Sequence, residues 1–220
     1  DVTTDCLTTP SAGARATIVA KEEGMLAGLE VAHLVFRHLD PHVAFRSEYR
    51  DGAWLSRGAE VTTVEGSARA ILSGERVALN LLQRMCGIAT LTNKFVRAVE
   101  GTKTRILDTR KTTPGLRVLE RYAVRVGGGE NYRQGLFDMV LIKDNHIAAC
   151  GGIAPAVRRV RAGLGARFTV VVEAKTLKQV EEALGADIDR IMLDNMSIPM
   201  MRKAIKLVAG RVPLEASGGM

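Results

Sequence analysis

Aromatic residues are scarce in this chain, at 4% of 220 residues with a single Trp. No stacking platform is interleaved with the cations, so the formal net charge of +7 argues little for a nucleic-acid partner, and none is expected. The same charge suits a small anionic ligand. The three cysteines, Cys6, Cys86 and Cys150, are odd in number and lack CxxC or Cys/His metal spacing. That pattern argues against a disulfide framework and reads as free thiols of a reducing cytoplasm. No apolar run is long enough to span a bilayer, and no charged segment followed by an apolar one opens the chain. No membrane partner is expected. Low-complexity tracts are missing, as is any repeat beyond strand–helix units.

What is present supports a sizeable core without staples, since 46% of residues are hydrophobic. The length suits one large domain or two small ones. The densest signal is residues 107–147, LDTRKTTPGLRVLERYAVRVGGGENYRQGLFDMVLIKDNHI. Here Arg110, Lys111, Arg117, Arg121, Arg125, Arg133 and Lys143 lie among apolar residues and glycines. Lys111 and Lys143 stand where short apolar runs end. Cations at strand ends suit a pocket for a polyanionic small molecule, whereas a solvated basic face would spread them along a helix.

Five short apolar runs follow one another: residues 105–108 into Thr109-Arg110-Lys111, 139–142 into Lys143-Asp144-Asn145, 168–172 into Glu173, 191–193 into Asp194-Asn195, and 212–216 into Ser217-Gly218-Gly219. Runs this short and apolar predict buried parallel strands. Helical patterns lie between them at 115–126, 153–162, 177–184 and 198–208. Alternating strands and helices predict an α/β barrel, whose chemistry gathers at the C-terminal strand ends.

Before about residue 101 the pattern differs. Strands are predicted at 14–20, 43–49 and 61–71, and an amphipathic helix at 28–39 with Leu29, Ala32, Val35, Phe36 and Leu39 inward. Ser73 is a candidate cap for a long helix, with Glu75 in its first turn and Val77, Leu81, Met85, Ile88, Phe95 and Val99 at helical spacing. The expected domains are residues 1–99 and 100–220. Asp1-Val2-Thr3-Thr4 reads like the middle of a loop, and the last residues stop where a helix should begin. The native polypeptide is therefore expected to extend beyond both ends.

Each constellation has a plain structural reading beside the functional one. Arg110 and Lys111 read as two surface cations or, flanked by Thr109, Thr112 and Thr113 and followed by Pro114-Gly115, as an anion site at a helix start. Gly127-Gly128-Gly129 ends a helix or makes a tight turn that brings Arg133 to a pocket. Lys143 is expected to be functional, as a charge or a Schiff-base amine. His146 is expected to be a structural hydrogen-bonding residue. Glu173 and Asp194 suit Mg²⁺, an acid/base pair, sugar hydroxyls, or simple neutralisation of Lys111 and Lys143. Ser217-Gly218-Gly219 resembles a phosphate cradle of backbone amides.

Taken together, ERVALNLLQRMCGIAT (75–90), DTRKTTPGLR (108–117), LIKDNH (141–146) and EASGG (215–219) resemble the quinolinate phosphoribosyltransferase family, over essentially the whole chain. The resemblance implies an N-terminal α/β sandwich domain followed by an incomplete parallel α/β barrel. It implies transfer of phosphoribosyl from phosphoribosyl diphosphate to quinolinate with decarboxylation, giving nicotinate mononucleotide, diphosphate and CO₂. It further implies Mg²⁺, a homodimer with shared active sites, and specific roles. Arg110, Lys111, Arg133 and Lys143 would bind quinolinate, and Arg76 would reach the partner subunit's site. Glu173 and Asp194 would surround the Mg²⁺-diphosphate, while Ser217 and Gly218 would contact phosphate. Tyr132 stands where the family usually has His, which bears on substrate affinity and identity. The runner-up readings are a related transferase for another pyridine carboxylate and a non-enzymatic binding protein that keeps the pocket.

Overall fold

A computed structural model describes residues 1–219, in two compact units, Asp1–Tyr132 and Arg133–Met220. The first unit opens with helix α1 (Val2–Leu7), where a loop was expected. Asp1 makes the difference: its carboxylate accepts from the Thr4 amide at 3.1 Å and caps the helix. Then come β1 (Gly13–Val19), β2 (Gly24–Met25), α2 (Leu29–Leu39), β3 (Ala44–Arg46), β4 (Trp54–Leu55), β5 (Glu60–Ser67), the long α3 (Ala68–Ala98) and α4 (Arg117–Val126). The antiparallel sheet runs β1-β5-β3, and β2 pairs with β4. That second pair has two residues per strand, too few to carry a period, and sequence reading missed it.

β1 alternates cleanly, with Ala14, Ala16 and Ile18 turned towards a core built on Phe36, Val61, Val64, Ile71 and Leu82. The junction of β5 and α3 corrects the sequence reading. Ser67, not Ser73, is the cap, its hydroxyl accepting from the Ala70 amide, so the strand stops at 67 and Glu75 falls beyond the first turn. The buried stripe of α3 is also rotated from the expected one. It consists of Ile71, Gly74, Ala78, Leu82, Met85, Ala89 and Thr92, while Val77 and Phe95 are 52% and 54% exposed. Of the expected stripe Met85 is buried, and Ile88 is partly buried against the same cluster. Crowding explains the choice of small residues. A Cβ on Gly74 would lie 3.0 Å from Leu39 and 3.2 Å from Phe36, so α2 packs where α3 has no bulk. Leu39 was expected inward and is 48% exposed.

Residues 105–108 do not form a ladder strand. Leu107 makes one isolated parallel bridge to Glu130, after which the chain turns away through Thr109.

The second unit holds β6 (Val140–Ile142), α5 (Asp144–Cys150), α6 (Ile153–Leu164), β7 (Val170–Ala174), α7 (Leu177–Leu184), β8 (Arg190–Asp194), α8 (Ile198–Val208) and β9 (Leu214–Ser217). Its four strands are all parallel and in sequential order, β6-β7-β8-β9. This is the strand–helix alternation predicted from the sequence, with α5 as an unforeseen addition. Ile142, Val170, Val172, Ala174, Ile191 and Leu193 bury one face of the sheet against Ile153, Val157, Val180, Ala204 and Val208 of the helices. Thr176 and Gln179 form a capping box at the start of α7.

Gly127 shows how tightly the first unit is packed. A Cβ there would sit 2.5 Å from the Ala89 carbonyl oxygen and 2.7 Å from Thr92 of α3. Gly163, in α6, has open space around it. Gly127→Ala is therefore expected to cost about 1–3 kcal/mol by overpacking. Gly163→Ala is expected to gain about 0.5–1 kcal/mol from helix propensity. Urea unfolding of the two variants should show these opposite signs, and equal midpoints would refute the packing argument.

Candidate active site

In the second unit the strand register assembles the polar groups. Leu141 pairs with Val171, so two residues further on Lys143 comes beside Glu173. Their side chains meet, Lys143 Nζ to Glu173 Oε1 at 3.4 Å, with Glu173 largely buried. Glu173 pairs in turn with Met192, and Met192 with Glu215. The next row follows in the same way. Ala174 pairs with Leu193, which brings Lys175 alongside Asp194, and Asp194 pairs with Ser217. These rows lie on the sheet face opposite the apolar core. Arg190 on the same face forms an ion pair with Glu215.

Lys143, Glu173, Asp194 and Ser217 thus share one face of one sheet, at its C-terminal edge. Three participants were given no role by sequence reading, which placed Asp144 and Asn195 after strand ends and did not name Lys175. Lys175 Nζ lies 2.7 Å from Asp144 Oδ2 and 4.0 Å from Asp194 Oδ2. The hydrogen bond from Lys175 holds the Asp144 carboxyl below its usual range, and Asp144 in turn raises Lys175. Asn195 is the third, at a positive φ of 52°. Its amide donates to the Ser217 carbonyl at 2.8 Å, its side-chain nitrogen to Asp194 Oδ1 at 3.1 Å, and its side-chain oxygen accepts from Gly219 N–H at 3.2 Å. Only the register, which sequence does not print, would have revealed them. His146 has the structural role expected of it, Nδ1 accepting from the Lys143 amide at 3.1 Å at the start of α5.

In the first unit the segment 108–116 carries Arg110 and Lys111 and is tied down at both ends. At one end Glu120, buried, accepts from the Thr113 amide at 3.1 Å and from Arg84 Nε at 2.7 Å. Burial alone would raise the Glu120 carboxyl, but the bonds from Thr113 and Arg84 outweigh it and hold it low. At the other end Asp108 accepts from the Tyr132 amide at 2.7 Å and pairs with Arg121 at 3.4 Å. Arg121 also donates to the Tyr132 carbonyl at 3.0 Å. Burial dominates at Asp108 and raises its carboxyl despite these partners. Between the anchors Lys111 is exposed, and Arg110 Nε is shielded from solvent with no hydrogen-bond partner. The Tyr132 hydroxyl oxygen is also shielded. Arg133, in the second unit, is buried. Arg76 is exposed within α3, beyond its first turn.

Gly127 and Gly129 lie against α3, a Cβ on Gly129 coming within 2.9 Å of Thr92, and Gly128 takes φ +90°. Packing and backbone conformation thus account for all three glycines.

The comparisons with known proteins agree along the whole chain. Residues 1–86 match the family model for the N-terminal domain of quinolinate phosphoribosyl transferase, and residues 88–220 that for its C-terminal domain. A probable nicotinate-nucleotide pyrophosphorylase (carboxylating) of Bacillus subtilis is 47% identical over 205 residues, covering 93% of this chain and 71% of the relative. The chloroplastic nicotinate-nucleotide pyrophosphorylase (carboxylating) of Arabidopsis thaliana is 44% identical over 223 residues, covering 93% of this chain and 64% of that protein. The crystal structure of NadC from Streptococcus pyogenes superposes with a TM-score of 0.95 at 44% identity, covering all of this chain (100%) and 78% of that one.

Gly218 tests the link between the β9 loop and Asn195. Its φ is +124°, and a Cβ would fall 2.2 Å from Asn195 Oδ1. Gly218→Ala is expected to cost about 1–3 kcal/mol in urea unfolding, as backbone forced from an unfavourable region does. Adding Asn195→Ala should recover part of that loss. A double variant as unstable as the sum of the singles would show that the two residues do not interact.

Proposed function

The chain belongs to the quinolinate phosphoribosyltransferase family, and from that membership we propose how its own residues carry the reaction. The enzyme transfers phosphoribosyl from phosphoribosyl diphosphate to quinolinate, with decarboxylation, in de novo NAD biosynthesis. Quinolinate is a dianion. Holding it takes fixed cations in a site with little water, where they act more strongly than in bulk solvent. Arg110, Lys111, Arg133 and Lys143 fill that role in our reading. The observation that carries it is Arg110 Nε, a shielded N–H with no partner. Such a donor is costly to bury and suits an incoming carboxylate. Arg110 and Arg133 would hold carboxylates through their planar forks, and Lys111 and Lys143 would act as point charges. Tyr132 would donate its O–H to a carboxylate. Its backbone is fixed for that by Asp108 and Arg121.

With the carboxylates held, the pyridine nitrogen attacks ribose C1 as diphosphate departs. When the adjacent carboxylate then leaves as CO₂, the electron pair of the broken C–C bond stays on C2, stabilised by the neighbouring pyridinium nitrogen, until a proton from solvent forms the C2–H bond. Glu173 and Asp194 would hold Mg²⁺, and Ser217 and Gly218 would contact phosphate. Among the described residues no three His, Cys, Asp or Glu side chains form a metal cage. The two carboxylates still fit Mg²⁺, a hard cation that commonly takes one or two protein carboxylates and fills its remaining positions with water and substrate phosphates. When bound it would neutralise charge on the leaving diphosphate.

We further propose a homodimer with shared sites, in the cytoplasm. Arg76 is exposed on α3 beside Leu72 and Val77, which are 47% and 52% exposed. That is a surface suited to a second copy. The three free cysteines suit a reducing compartment. Among the described residues no helix is long and apolar enough to cross a membrane.

Lys143→Ala is expected to lower kcat/KM by about a hundredfold or more, about 3 kcal/mol of lost electrostatic stabilisation, with circular dichroism unchanged. Wild-type kcat/KM in the folded variant would put Lys143 outside the site. Arg76→Ala and Lys143→Ala should each be inactive as homodimers. Mixing them under subunit exchange should restore activity, because one site of the heterodimer then has both groups. No recovery, once exchange is confirmed by mass spectrometry, would rule out a shared site.

A further inference from the structure

Lys175 has no part in the reading above, yet it meets two carboxylates of the polar edge. It follows β7, and its ammonium meets Asp144, just beyond β6, at 2.7 Å and Asp194, at the end of β8, at 4.0 Å. One side chain therefore links the C-terminal ends of three consecutive strands. Its place is set by the register, which brings it alongside Asp194, and Asp194 pairs with Ser217. Its side chain remains 48% exposed, so it can leave these partners without disturbing a core.

We propose that Lys175 is a resident counter-cation, a positioning residue that occupies the carboxylates of Asp144 and Asp194 and thereby sets how strongly this edge draws a divalent cation. The inference rests on the reading that Asp194 helps to hold Mg²⁺. Counting formal charges, Lys143 and Lys175 face Asp144, Glu173 and Asp194, two cations against three anions. Removing Lys175 leaves one cation against three anions and frees two oxygens for a metal ion. Its repulsion of an incoming cation would also vanish. A single charge at about 4 Å, screened as an exposed group is, changes a binding constant by roughly three- to tenfold.

The test uses the purified full chain with Mn²⁺ as a probe and no substrate, so that phosphate contacts cannot contribute. Free Mn²⁺ is counted from its electron paramagnetic resonance signal. Lys175→Met is expected to bind Mn²⁺ about three- to tenfold more tightly than wild type, and Lys175→Arg to bind like wild type. Urea midpoints confirm that all variants are folded. Equal affinity in wild type and Lys175→Met, no binding by either, or weaker binding by Lys175→Met overturns the proposal. Adding Asp194→Asn to Lys175→Met should abolish the gain. If the gain persists without Asp194, the reading of Asp194 as a metal-holding residue fails, and the role given to Lys175 fails with it. If Asp194→Asn alone removes Mn²⁺ binding while Lys175→Met changes nothing, only the role of Lys175 is lost.

Discussion

The two-residue period of the parallel strands is the constraint on which the second unit depends. In register, every row of side chains falls wholly on one face. The rows through Ile142, Val172 and Ile191 must bury apolar surface against α6, α7 and α8, and they do. The alternate rows are then committed to the other face, where Lys143, Glu173 and Glu215 follow Leu141 and Val171. A slip of one residue would drive Glu173 into the helix layer and expose Val172. The packing that stabilises the sheet therefore also aligns the charges at its C-terminal edge. Core and site are one decision in the sequence.

The first unit meets a different problem, since the segment that carries Arg110 and Lys111 is not a strand. Residues 108–116 have almost no ladder to hold them, and two largely buried carboxylates take over that task. Asp108 fixes the segment to the backbone at Tyr132, and Glu120 fixes it at Thr113, each backed by an arginine. A buried carboxylate is stabilising only when its charge is matched and its oxygens are bonded. The two differ in that balance: burial prevails at Asp108, whereas hydrogen bonds prevail at Glu120. Glu120 holds the end next to α4. The loop can be polar, exposed at Lys111 and still ordered, because the ends carry the cost of ordering it.

The legible parts of the sequence were those with a period. Four parallel strands and the helices α2, α4, α6, α7 and α8 appear where alternation and helical spacing put them, and Lys143, Glu173, Asp194 and Ser217 could be placed at strand ends on that basis alone. The illegible parts lacked one. Residues 105–108 look like the other apolar runs, but their partner is a single residue, Glu130, and no local pattern announces that. In α3 the large residues suggested the wrong stripe, since Gly74, Ala78 and Ala89 face the crowded side and bulk is left outside. Size is a poor guide to direction when neighbouring helices approach closely. Ser67 and Ser73 are equivalent as caps on paper, and the pairing of β5 with β1 through Ser67 decides between them. The roles of Lys175 and Asn195 were invisible for the same reason, since they exist only across strands.

The pairing of cations with carboxylates at the sheet edge has a consequence for selectivity. Lys143 and Lys175 each meet a carboxylate of the same chain, so an arriving anion must displace an existing partner. A singly charged ligand exchanging for one of these gains little, because one carboxylate contact replaces another at similar distance and dielectric. A ligand that carries several negative charges close together gains more, since it can engage more than one cation while the protein's carboxylates turn to solvent or to a metal ion. Discrimination then comes from the competition built into the resting site as much as from contacts to the ligand. Arg110 is the exception, with an Nε that no protein group satisfies. On the proposed reading this donor would have no partner to give up when a carboxylate arrives. The ion-paired lysines, on the same reading, would favour a ligand of higher total charge, and the unsatisfied arginine would add affinity without first giving up a partner.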